Sequence, residues 1–140
     1  MTFKYKAVER PDGTTVRCPL IPITFIGKEK IGAMALIDSG ADVSVITKEF
    51  AELLGLNLNK EQIDMYGIGG KVKGITSSVK ILIAKGHDRI NFSIPVNVVM
   101  EKYDFPPLLG RAGFFDRFKI IFQQRDQKII LKPNAPRGYR

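Results

Sequence analysis

The stretch from Met34 to Thr47, MALIDSGADVSVIT, sets two aspartates inside an otherwise apolar run. Met34-Ala35-Leu36-Ile37 precede Asp38, and Val43-Ser44-Val45-Ile46 follow Asp42. Aspartate is among the residues least often buried, because taking a carboxylate out of water is costly unless it is paired or hydrogen-bonded. A carboxylate at the end of a buried-looking strand, followed by a small hydroxyl residue and a glycine, needs a reason. The bland one is a turn in which the aspartate accepts a bond from its own backbone. Such a turn does not require an apolar strand on both sides.

Composition narrows the alternatives. A chain of 140 residues is one ordinary domain, long enough for a core but not for two. Hydrophobic content of 44% and charged content of 26% describe a soluble globular protein. The 22 basic and 14 acidic residues leave a net charge of +8, with many of the basic ones near the ends. That charge permits contact with acidic partners, but no Arg/Lys block is interleaved with aromatics, which disfavours nucleic-acid binding as the main task. The single cysteine, Cys18, cannot form an internal disulfide, and MTFKYKAVERPDG has no apolar leader core. No apolar run approaches a membrane span. The expected setting is the reducing cytoplasm, away from membranes. There the glycosylation pattern Asn91-Phe92-Ser93 carries no weight.

The rest of the chain reads mostly as strands. TFKYKAVE alternates, placing Phe3, Tyr5 and Ala7 on one side, and Pro11-Asp12-Gly13 follows as a turn. Residues 14–38 read as two strands meeting near Gly27-Lys28-Glu29-Lys30, with Pro19 and Pro22 suited to an edge or irregular strand. The best helix is TKEFAELLGL, with Thr47 as N-cap, Phe50, Leu53 and Leu54 at helical spacing, and Gly55 to end it. IDMYGIGGKVKGIT reads as a hairpin with glycines at its tip, and residues 77–100 as two strands around Lys85-Gly86-His87-Asp88. RAGFFDRFKIIFQQ begins as a short helix and becomes a strand; QKIILKP is a last strand.

Two further segments gain meaning beside the first. In MYGIGGKVKG, the glycines Gly67, Gly69 and Gly70 surround Ile68; alone this is a flexible hairpin loop. It is not a phosphate-binding loop, because Gly70-Lys71 is followed by Val72 and the leading glycine is missing. In FPPLLGRAGFFDRF, two leucines lead into Gly110 and Arg111.

In this order, LIDSGAD, GIGG and LLGR resemble the three elements of the retropepsin-like, single-lobed, homodimeric aspartic protease family, over most of residues 15 to 132. The resemblance implies a mostly β fold, a closed β-barrel lobe with one or two short helices, as a single domain over 1–140. It implies an aspartic endopeptidase, with Asp38, Ser39 and Gly40 as the catalytic segment and Asp38 as the carboxylate. One such motif per chain implies a homodimer in which two Asp38 side chains share a proton and activate a water. Ser39, where threonine is commoner, would bond across the dimer axis, and Gly40 would exchange backbone bonds with substrate. Asp42 would contact substrate and pair with Arg111, tying the loop to the following helix in a partly buried ion pair. Gly67, Ile68 and Gly69 would form a flap over a peptide or protein substrate, held through the Ile68 backbone N–H. Met34, Val43 and Leu108 would line subsites. The resemblance implies no cofactor and no metal, and no His/Cys cluster has metal-ligand spacing.

His87 reads as a solvated turn residue and Cys18 as a small strand residue. Asp64, Asp104 and Asp116 lack a following Ser/Thr-Gly. The alternative reading is a catalytically idle domain of the same fold that dimerises and binds peptides. A basic nucleic-acid-binding β domain would explain the charge but leave Asp38 without a purpose.

Overall fold

The computed structural model describes residues 1–135. Its strands are β1 (Thr2–Lys4), β2 (Lys6–Glu9), β3 (Thr15–Cys18), β4 (Leu20–Ile26), β5 (Lys30–Ile37), β6 (Ser44–Thr47), β7 (Ile63–Gly67), β8 (Gly70–Lys85), β9 (Asp88–Val99), β10 (Leu108–Leu109), β11 (Phe118–Gln123) and β12 (Lys128–Pro133). Helix α1 (Lys48–Leu53) follows β6, and a 3-10 turn, Phe115–Arg117, precedes β11.

Seven strands form the main sheet in the order β4-β5-β10-β6-β9-β8-β7, and β4 also pairs with β8 through Thr24–Ile26. That second pairing closes six of the strands into a ring, which removes their free edges. Strand alternation fills the ring: Ile21, Ile23 and Phe25 of β4, Ala35 and Ile37 of β5, and Ile81 and Ile83 of β8 are all buried. β7 stays outside the ring, paired only with β8. β1, β12 and β11 make a separate three-stranded sheet with β12 in the middle, and β2–β3 is a small hairpin of its own.

Several elements depart from the sequence reading. TFKYKAVE is two strands, not one: Tyr5 is buried between β1 and β2, with its N–H donating to the Gln127 carbonyl, whereas Ala7 is exposed. The strand is interrupted at Tyr5, where the pairing partner changes from β12 to β3. Residues 14–38 hold three strands, because Pro19, which lacks an N–H, separates β3 from β4. The glycine hairpin and the following segment share one continuous strand, the 16-residue β8. In α1, Thr47 Oγ1 accepts from the Phe50 N–H at 3.2 Å and Gly55 takes a φ of 71° just past the end. Ala51 and Leu54 face the core, however, while Leu53 is exposed. No helix among the described residues is long and apolar enough to cross a membrane.

Candidate active site

Asp38 stands one residue past the end of β5, where the chain leaves the ring and turns through Ser39-Gly40. Its Oδ1 accepts the Gly40 N–H at 2.9 Å, so the turn bond that the tripeptide suggests does form. A Cβ on residue 40 would lie 3.2 Å from that oxygen, so glycine lets the backbone close over the carboxylate. The Asp38 side chain is half-buried rather than sealed in apolar surroundings, because it faces a cleft.

The loop from Asp38 to Asp42 is held from one direction. The two-residue strand β10 runs between β5 and β6, parallel to the first and antiparallel to the second. The Asp38 N–H donates to Leu109 O at 3.0 Å, and the N–H groups of Arg111 and Ala112 donate to Ala41 O and Asp42 O at 2.9 and 2.8 Å. Gly110 sits where the two segments touch. A Cβ there would lie 2.5 Å from the Val43 carbonyl carbon and 2.9 Å from Ala41 O, both backbone. The Gly110 N–H instead donates to Ser44 Oγ at 3.0 Å.

Ser44 is 1% exposed and the one buried polar residue of the described core, a role that the sequence reading missed. Its signal was present: a hydroxyl in the buried phase of the Val43–Ile46 alternation needs a partner.

Arg111 does pair with Asp42, and its Nη1 also donates to Ser39 O at 2.6 Å. The pair is not buried as expected; the Asp42 side chain is 86% exposed and that of Arg111 51%. Both lie on the outer lip of the loop, beyond the packing that β10 supplies. The main-chain clamp and Ser44 therefore hold the loop more firmly than the ion pair does.

Above the loop, β7 and the start of β8 form a hairpin whose tip is Ile68-Gly69, between the paired Gly67 and Gly70. Ile68 is fully exposed at the tip, and Tyr66 is 81% exposed. Asp64 lies directly opposite Lys73 and diagonal to Lys71; it pairs with both, at 3.7 Å to Lys71. The hydrogen bond from Lys73 to Asp64, with their Coulombic attraction, holds the Lys73 pKa above its ordinary 10.5.

Between hairpin and loop lies a cleft of about 770 Å³. Asp38, Gly40, Asp42, Gly67, Ile68, Gly69 and Leu108 all line it, so the structure brings together residues that the chain spreads over seventy positions. Val43 lines it too. Met34 does not; it lies in a separate depression on the outer barrel wall, because it precedes Asp38 by four strand residues, about 13 Å. Tyr66, Asn97 and Tyr103 also line the cleft and were not foreseen. Ser39 is exposed beside it. His87 is exposed in the β8–β9 turn. Among the described residues no group of three or more His, Cys, Asp or Glu side chains could hold a metal ion.

This fold and cleft place the chain among the retropepsin-like aspartic proteases. It belongs to the aspartyl protease family, whose model matches residues 21–111. It is similar to the crystal structure of a retropepsin-like aspartic protease from Rickettsia conorii, at 26% identity and a TM-score of 0.59, over 94% of this chain and 91% of that one. The retroviral protease-like domain of Ddi1 from Leishmania major shares the fold at 17% identity and a TM-score of 0.52, over 84% of this chain and 96% of that one. No curated protein matches the chain.

Proposed function

We propose that the chain is an aspartic endopeptidase that works as a homodimer, the whole of 1–140 acting as one domain. The observation that carries this is a single Asp38 carboxylate at the open edge of a cleft covered by a glycine-tipped hairpin. One carboxylate per chain is half of the acid–base pair that peptide hydrolysis needs, and no second Asp-Ser/Thr-Gly exists in the sequence. A two-fold axis beside Ser39 would bring two Asp38 side chains together, as an isologous interface allows.

In that dimer the close carboxylates share one proton, since both cannot remain ionised side by side. The ionised one takes a proton from a water held between them as its oxygen attacks the scissile carbonyl carbon. The protonated one gives its proton to the carbonyl oxygen. Collapse of the resulting diol breaks the C–N bond: the departing nitrogen takes up the proton gained from water, while one diol hydroxyl returns its proton to the other carboxylate and restores the shared-proton pair. Ser39 would bond across the axis, and Gly40, Asp42, the flap residues Gly67, Ile68 and Gly69, and Leu108 would contact a peptide or protein substrate. The single Cys18 supports a reducing, cytoplasmic setting.

The test is a diverse peptide pool incubated at acidic and neutral pH with the native chain, with Asp38→Asn, and with native chain mixed into excess Asp38→Asn. Cleavage by the native chain alone, poisoned in the mixture, is expected. A demonstrated monomer cleaving at full rate removes the shared site. A dimer that binds peptides and cleaves none establishes the idle, peptide-binding reading instead.

A further inference from the structure

On the barrel wall away from the cleft, four lysines converge from three separated parts of the chain. Lys4, Lys6, Lys85 and Lys128, with Thr2, Phe3 and Pro22, line a cavity of about 340 Å³ that contains no carboxylate in its wall. Two features show how three of these ammonium groups stand without a carboxylate partner among the described residues. Lys4 and Lys128 are direct cross-strand partners in the β1–β12 register, where like charges oppose each other unfavourably. Lys85 faces Asp88 in the β8–β9 hairpin register, yet its ammonium lies over the Phe3 ring, 5.4 Å from the centroid. The ion pairs formed among the described residues involve none of the four.

The cavity has an apolar neighbour. β4 and β8 pair only through Thr24–Ile26, and Pro22 lies where they part. Pro22 also lines a second depression of about 400 Å³, whose wall includes Ala33, Met34, Leu82 and Ala84. An apolar depression therefore adjoins a lysine-lined cavity across one shared proline.

We propose that this composite groove is a docking site for an acidic segment of a protein partner, with carboxylates in the lysine cavity and an adjacent apolar side chain in the Met34 depression. Charge complementarity selects an acidic occupant. The apolar half selects a peptide carrying large aliphatic residues over a nucleic acid, whose binding surfaces need a long basic track with exposed aromatics for stacking. The proposal is independent of catalysis, because no groove residue lines the cleft.

The test is fluorescence anisotropy with a labelled peptide of mixed glutamate and leucine, in an Asp38→Asn background so that the probe survives. Comparison probes are a glutamate/serine peptide of equal charge, inorganic tripolyphosphate and a single-stranded oligonucleotide. The glutamate/leucine peptide is expected to bind best, more weakly as salt rises. The double substitution Lys4→Gln/Lys128→Gln should weaken it about tenfold or more. The same double variant should melt no lower than its parent, since it relieves an opposed like-charge pair. Ala84→Glu should also weaken the peptide while leaving tripolyphosphate binding less affected. Equal binding of the serine peptide, or tighter oligonucleotide binding with the same lysine dependence, overturns the assignment. So does glutamate/leucine binding that survives loss of both lysines, or no binding at all.

Discussion

Arg111 donates from Nη1 to the carbonyl oxygen of Ser39 at 2.6 Å, across 72 residues of chain, while its Nη2 reaches Asp42. One guanidinium thus spans both ends of the Ser39–Asp42 turn, and the two contacts differ in worth. The carboxylate contact is largely solvated, and exposed ion pairs contribute about 0–1 kcal/mol. The carbonyl contact orients the backbone beside Asp38.

Asp42→Ala should accordingly cost at most about 1 kcal/mol. Arg111→Ala should cost more, about 1–3 kcal/mol, since a charge-assisted bond to Ser39 O is lost as well. Urea denaturation of both variants checks this. A larger loss for Asp42→Ala would show that the carboxylate carries the loop.

Gly110→Ala should destabilise by about 1–3 kcal/mol, because the new methyl meets main-chain atoms of Val43 and Ala41 that cannot move aside cheaply. Gly69→Ala at the β7–β8 hairpin tip should be nearly neutral, since nothing lies within 4 Å of its added Cβ. Thermal melting of the two glycine variants, side by side, separates a packing requirement from mere glycine content.

Ser44→Ala should lose about 1–3 kcal/mol, leaving the buried Gly110 N–H without an acceptor. Ser44→Thr keeps the hydroxyl, and should retain more stability than alanine if the bond outweighs the added methyl. Equal stability of wild type and Ser44→Ala in urea would contradict the proposed clamp.

Residues 63–73 should exchange their amide hydrogens faster than residues 74–85 of the same strand pair. Apart from Lys73 O, which accepts from the Met100 N–H, the first group is paired across the exposed hairpin, whereas the second pairs with β9 and, in part, with β4. Comparable protection in both groups without ligand would argue against a flap that opens.

The Asp64–Lys73 pair gives that hairpin one pH-dependent contact. Because the folded Lys73 pKa is raised, the alkaline limb is set by Lys73: with Asp64 ionised the contribution is complete below 10.5 and is lost as pH climbs through the folded value. A carbon-detected NMR titration of the Lys73 side chain should give a midpoint above 10.5, returning toward it in Asp64→Asn. An unchanged midpoint in the variant would remove Asp64 as the cause.

Local signals were legible in the sequence wherever one short stretch decides the outcome. Thr47 caps α1, the turns at Gly27–Glu29 and Gly86-His87 fall where the glycines put them, and LIDSGAD, GIGG and LLGR do meet. What stayed hidden depends on distant partners. The alternating run is split at Tyr5, and Ala7 falls out of phase, because β12 pairs with the residues before Tyr5 and β3 with those after it. Leu53 fits the helical spacing, but the core lies against Ala51 and Leu54. The β4–β8 closure, the insertion of β10 and the exposure of Asp42 are matters of register between segments far apart, which periodicity does not encode.

The placement of β10 also gives the site a history. A chain emerging from the ribosome carries Asp38 long before it carries Leu109, Gly110 and Arg111, which fix the Asp38 loop. Contacts across such separations form late, after the loop-closure entropy has been overcome. Until then the Asp-Ser-Gly turn has only local bonds to shape it, from the Gly40 N–H to Asp38 Oδ1 and from the Ala41 N–H to Asp38 O. The half-made protein therefore holds its candidate catalytic carboxylate on an unanchored loop, and synthesis itself delays the moment at which that carboxylate can be aimed at a peptide.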